Sequence, residues 1–69
     1  MRVYIVIKNR MIIDVYRFAS HIERDIKGFS ARSLSRHLKN PGDIYVRTTG
    51  SDEFKVIMLN VKMVKASQV

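Results

Sequence analysis

The chain has 69 residues, 46% of them hydrophobic and 28% charged, and its 13 Lys and Arg against 6 Asp and Glu give a formal charge of +7. That length supplies one core and not two, since a chain near 60 residues buries only about 60% of the surface it exposes unfolded, and the composition excludes disorder and fibrous repeats. With no cysteine, disulfides, thiolate zinc sites and cysteine nucleophiles are excluded, which fits a reducing, cytoplasmic setting.

A core this small is marginal on its own, so a homodimer is one expected route to stability. No stretch reaches the roughly 18 apolar residues of a membrane span. The run Val3 to Ile7 is cut by Lys8, Asn9 and Arg10 before it attains the length of a signal-peptide core. The expectation is one cytoplasmic domain over 1–69, not exported and with no membrane partner, and with 65–69 a frayed tail. The positive charge calls for a negative partner, and nucleic-acid phosphates are the commonest, because each one neutralised releases condensed counterions. A merely solubilising surface is the competing explanation.

In chain order, Arg2 to Lys8 and Met11 to Tyr16 read as strands rich in β-branched and aromatic residues. Asn9-Arg10 forms the turn between them, Asn tolerating positive φ. Alternation predicts that Val3, Ile5 and Ile7 share the core face with Met11, Ile13 and Val15, that Tyr4 and Asp14 look outward, and that Val6 and Ile12 need another cover. From Arg17 to Lys27, Phe18, Ile22 and Ile26 with Ala19 make a helical stripe that Gly28 ends at a C′ position. Ser30 is a good N-cap for a second helix to Lys39, with Ala31, Leu34 and Leu38 inward.

Asn40-Pro41-Gly42-Asp43 stops that helix. Ile44 to Thr48 is a third strand, Thr49-Gly50-Ser51-Asp52 a turn, and Glu53 to Val64 a long fourth strand. Its doubled apolar stretch Val56 to Leu59 predicts a central strand covered on both faces, or a bulge. The expected fold is α+β, a single small β-β-α-α-β-β domain with a mostly antiparallel sheet and a helix-turn-helix-like pair.

The segment from Lys27 to Lys39 carries the most chemistry. No Asp or Glu occurs from Ile26 to Gly42, while Lys27, Arg32, Arg36 and Lys39 supply four positive charges. With Ala31, Leu34 and Leu38 packed inward, Arg32, Ser33, Ser35, Arg36 and Lys39 fall on the outer helix face. Such a face suits the DNA major groove, where Arg pairs with guanine and Ser reaches bases or phosphates, and the helix N-terminus offers N–H groups to a phosphate.

Gly28-Phe29-Ser30 followed by Ser30 to Leu38, SARSLSRHL, resembles the turn and recognition helix of winged-helix transcription regulators. The resemblance covers Arg17 to Leu59, with the hairpin Asp43 to Leu59 as the wing. It implies that Arg32, Ser33 and Arg36 meet bases and that Arg47, Thr48, Thr49 and Lys55 meet the DNA backbone or minor groove. Two strands stand where the family has a leading helix, and Arg24 stands where it has a small residue.

His21 and His37 lie sixteen residues apart with no Cys and no Glu-x-x-His pattern, so no metal site is expected. His37 on the helix face either contacts phosphate or is solvated. The six carboxylates form no acid/base pair, the three glycines sit singly at turns, and neither catalysis nor a cofactor is expected. Tyr4, Tyr16 and Tyr45 are either stacking platforms for single-stranded nucleic acid, with Lys8, Arg47 and Lys62 beside them, or ordinary sheet packing. Met11, Met58 and Met63 fill the core or a dimer seam.

The expected function is a small basic DNA-binding regulator of transcription, reading duplex DNA through Lys27, Ser30, Arg32, Ser33, Ser35, Arg36, Lys39, Arg47, Thr49 and Lys55. The alternative is a virus- or plasmid-type accessory protein that inhibits a host protein, such as a CRISPR effector or polymerase, by electrostatic docking or strand addition.

Overall fold

The computed structural model describes residues 1–61. The expected continuation of the last strand to Val64, with Lys62 and Met63, and the tail 65–69 lie outside those residues. The element order is β1 (Arg2–Lys8), β2 (Met11–Tyr16), α1 (Ala19–Asp25), α2 (Ala31–His37), β3 (Ile44–Thr49) and β4 (Asp52–Asn60). It is a small α+β domain in the expected order, with four antiparallel strands in the sheet order β2-β1-β4-β3. Among the described residues no helix is long and apolar enough to cross a membrane.

Turn chemistry sets both hairpins. Asn9 and Arg10 hold φ of 49° and 72°, the positive pair that a type I′ turn requires. Asn9 is held there from outside the hairpin: its N–H donates to Glu53 O, its side-chain Oδ1 accepts from Glu53 N, and its Nδ2 donates to Asp52 Oδ1, each at 2.9 Å. The β1–β2 turn is thereby pinned to the start of β4. In the other hairpin Gly50 alone takes positive φ, 62°, between the paired ends Thr49 and Asp52.

The helices cover the face opposite to the one that simple alternation favours. Tyr4 and Val6 of β1 pair with Met58 and Val56 of β4, and these four form the core with Ala19, Ile22, Phe29, Leu34 and Leu38. Tyr4 is therefore buried rather than outward. The remaining face carries Ile5 and Ile7 beside Val15 and Ile12 on one flank, and Ile57 and Leu59 beside Ile44 on the other. Val3 shares it and is itself buried. Met11, Ile13 and Val15 are exposed instead of sealed.

The reason is that β1 is apolar on both faces, so its periodicity defines two faces without saying which one the helices choose. A bulge adds to this. Val6 lies opposite Asp14 and Ile7 opposite Ile12, leaving Ile13 as the extra residue. Ile12 is thereby moved onto the Ile5 and Ile7 face. The irregularity expected in β4 lies in the β1–β2 pair, and β4, although central, is covered on one face only.

Helix α1 also departs from its expected stripe. It begins at Ala19, and Phe18 keeps extended backbone at φ −131° and ψ 135° as an N-cap without a side-chain hydrogen bond. Phe18 is consequently 54% exposed, while Ala19 and Ile22 point inward. The helix closes at Ile26, two residues before Gly28, whose φ of 95° turns the chain.

Two stability outcomes follow. Leu34→Ala should cost about 2–5 kcal/mol in chemical denaturation and Phe18→Ala less than about 1 kcal/mol, because only Leu34 is enclosed. Arg10→Gly should raise stability by roughly 0.5–1 kcal/mol, the left-handed penalty of a non-glycine residue exceeding the added unfolded-state entropy.

Candidate nucleic-acid interface

Helix α2 is positioned by its caps as much as by its apolar stripe. Ser33 N–H donates to Ser30 Oγ at 3.1 Å, as the sequence leads one to expect of Ser30. The Ala31 N–H donates to the Glu23 carboxylate of α1 at 2.8 Å. Two of the first-turn N–H donors are thus taken by side chains of the chain itself, which leaves fewer at this end of α2 for a phosphate. At the other end, the Asp43 carboxylate accepts from the N–H groups of Lys39 (3.0 Å) and Asn40 (2.8 Å), fixing where the chain leaves the helix.

With Leu34 and Leu38 enclosed, Arg32, Ser35, Arg36 and Lys39 are exposed, and Ser30 and Ser33 are half-buried. His37 is exposed, yet its Nδ1 lies 2.8 Å from Ser33 O and its ring stacks on Tyr45 of β3 at 4.6 Å. That stack ties α2 to β3. Arg47, two residues on from Tyr45 and on the same sheet face, lays its guanidinium against the loop after α1, so that a Cβ on Gly28 would come within 3.3 Å of Arg47 Nε. Lys27 precedes that glycine and is exposed. Thr49 closes the same side of β3 and is exposed.

The structure therefore brings Lys27, Ser30, Arg32, Ser33, Ser35, Arg36, Lys39, Arg47 and Thr49 to the helix-bearing side. It does not bring Lys55, which pairs with Ile7 and Val46 on the other face of the sheet. Among the described residues the ion pairs are Lys8–Asp52 at 3.9 Å and Arg24–Asp25 at 2.8 Å. Glu23 and Asp43, the acids bonded at the two ends of α2, are occupied with backbone N–H groups. Lys27, Arg32, Arg36, Lys39 and Arg47 consequently enter no ion pair among the described residues, and their field is spent on solvent.

Beside α2 opens a groove of about 520 Å³ in which Ser35 and Ala31 face Arg2, Arg17, Phe18 and Ser20, with Met1, Tyr4 and Ala19 completing the lining. Arg17 lies over the Phe18 ring at 5.8 Å, and His21 meets that ring edge-on at 5.3 Å. Arg2 and Arg17 have no counterpart among the expected site residues. Nothing local marks them, because only the sheet order sets the start of β1 and the β2–α1 link beside α2. Tyr4 is core, and Tyr16 and Tyr45 are half-buried on the helix-covered face, so the three tyrosines do not make a stacking platform. Among the described residues no group of three or more His, Asp or Glu is arranged to hold a metal ion.

A second polar cluster joins β2 to α1. Asp25 accepts from Arg24 Nε at 2.8 Å and from the Tyr16 hydroxyl at 3.2 Å. The Arg24 hydrogen bond holds the Asp25 carboxyl below its ordinary value, with the Tyr16 hydrogen bond adding to it. Desolvation, and then the Asp25 hydrogen bond, push the Tyr16 phenol above 10.0. Against protein-family models, curated proteins and solved structures, the chain shows no match.

The signs of these shifts define a pH window. The Asp25 contribution is present above the ordinary carboxylate range and lost as pH falls through its lowered value; the Tyr16 contribution is present below 10.0 and lost as pH rises through its raised value. In Asp25→Asn, an NMR titration of the Tyr16 ring should move its midpoint down without returning fully to the ordinary value, since desolvation, the larger cause, remains. Ser30→Ala should cost about 1 kcal/mol in denaturant unfolding by removing the α2 cap.

Proposed function

We propose that the protein binds duplex DNA through its helix-bearing side, with α2 as the reading element and β3 as a flanking backbone contact. The observation that carries this is the group Lys27, Arg32, Arg36, Lys39 and Arg47, which enters no ion pair among the described residues. Seven residues of α2 span about 10 Å, a length that fits a major groove about 12 Å wide. In the winged-helix arrangement proposed for α1, α2 and the β3–β4 hairpin, Arg32 and Arg36 approach base edges while Lys27, Lys39, Arg47 and Thr49 meet phosphates. Lys55 has no part in this contact. Regulation of transcription, without catalysis and in the cytoplasm, is the role such a contact supports.

Binding driven by phosphates has a measurable signature. With five cations each releasing about 0.9 counterion, log Kd should change with log salt with a slope of magnitude about 4–5. Arg32→Ala together with Arg36→Ala should either lower that slope by about 2, if they meet phosphates, or reduce discrimination between sequences by about 1–3 kcal/mol each, if they meet bases. Lys55→Ala should leave affinity for duplex DNA unchanged in the same fluorescence titration. A salt-independent affinity, or equal losses from Lys55→Ala and from the α2 variants, would refute the assignment.

A further inference from the structure

The sheet face opposite the helices has not been used by any part of the function above. Its central row runs Val15, Ile5, Ile57 and Ile44 across all four strands without a polar interruption. Ile12, Val15, Ile44 and Val46 are 50–65% exposed, and Ile5, Ile7, Ile57 and Leu59 on the two central strands are half-buried. We propose that this face is the seam of a homodimer, in which two copies pack sheet on sheet as a four-layer assembly with both helix-bearing sides outermost.

Three observations favour a second copy over other occupants. The first is charge. The chain carries +7, yet among the described residues the charged ones that strand register sets on this face are Lys55 and, two residues before it on β4, Glu53. The two cancel, so copies that repel elsewhere meet here without like-charge cost, and the Lys55 stem can lie along apolar surface with its ammonium at the rim. The second is chemistry: among the described residues the face is aliphatic, offering no aromatic ring for a base and no row of cations for phosphates or an acidic partner.

The third is area. An Ile, Leu or Val side chain presents roughly 100 Å² of apolar surface at the usual transfer free energies. Four chains at least half exposed and four half-buried give about 300 Å². A stable interface takes about 800 Å² per partner, of which about 60% is apolar, or about 480 Å². The face therefore supplies roughly two thirds of the apolar area of one standard isologous contact, the rim supplying the rest, and is comparable to the largest patch that monomers leave open. A twofold contact closes on itself, covering both faces and leaving none to extend. Sheets packed this way lie about 10 Å apart with their strands within about 30°.

This inference does not rest on the nucleic-acid reading and is tested without nucleic acid. Sedimentation equilibrium of the nuclease-treated full chain should give twice the chain mass of 8.0 kDa. Val15→Glu with Ile44→Glu, both on solvent-facing ends of the central row, should give the single-chain mass with an unchanged far-UV spectrum. Val15→Thr with Ile44→Thr keeps the β-branched shape should the charged variant not fold, and should raise the dimer Kd by about 100-fold, each change counting twice by symmetry. A single-chain mass for the unaltered protein at about 100 μM overturns the proposal, whether the face then takes up an apolar peptide or a lipid surface. So does a dimer that persists in folded forms of both variants, since its seam then lies at a strand edge or on the helices.

Discussion

The antiparallel pairing of β1 with β4 is the contact on which the rest of the fold depends. It runs unbroken from Arg2 opposite Asn60 to Lys8 opposite Phe54 and makes these two strands the centre of the sheet. Only through it do Tyr4 and Val6 stand beside Met58 and Val56, giving the two short helices a continuous apolar floor. A seven-residue helix is far below the length that is stable alone in water. Both helices therefore exist because Ile22, Leu34 and Leu38 can be buried on that floor. The outward course of Arg32 and Arg36 is a by-product of the same burial.

Local chemistry was the legible part of the sequence. Ser30 as a cap, Asn9 in a left-handed turn and Pro41-Gly42 as a helix stop each act within a few residues, so the element order could be read directly. The choice of core face could not, because it depends on where helices pack and not on strand alternation: Tyr4 and Val6 alternate as well as Val3, Ile5 and Ile7 do. Phe18 failed for a smaller reason, since a helix starting one residue later takes it off the stripe. Part of the candidate site was legible as well, because Lys27 to Lys39 are contiguous. Arg2 and Arg17 were not, as their proximity to Ser35 is created by strand order. Lys55 is displaced by the period of two itself: with Phe54, Val56 and Met58 toward the helices, the residue between must point away.

The molecule divides its chemistry by side. Toward the helices Glu23 and Asp43 bond to backbone N–H groups and Asp25 to Arg24 and Tyr16, and Lys27, Arg32, Arg36, Lys39 and Arg47 enter no ion pair among the described residues. Away from them the sheet is aliphatic and close to neutral. Such a division lets two contacts of different physical character, one governed by ionic strength and one by apolar burial, be strengthened or weakened independently.

The β1–β4 pairing also has a kinetic side. Its partners are separated by nearly the whole described chain, so the loop-closure entropy of that contact must be met before the core can reward it. The two hairpins can form early, each directed by its own turn, but neither has a completed floor for the helices until the other arrives. During synthesis β1 emerges first and waits, with apolar residues on both faces, for a strand made some fifty residues later. In the folded chain the Asn9 bonds to Asp52 and Glu53 hold the β1–β4 register, where a slip of one residue would turn the side chains of the shifted strand to the other face.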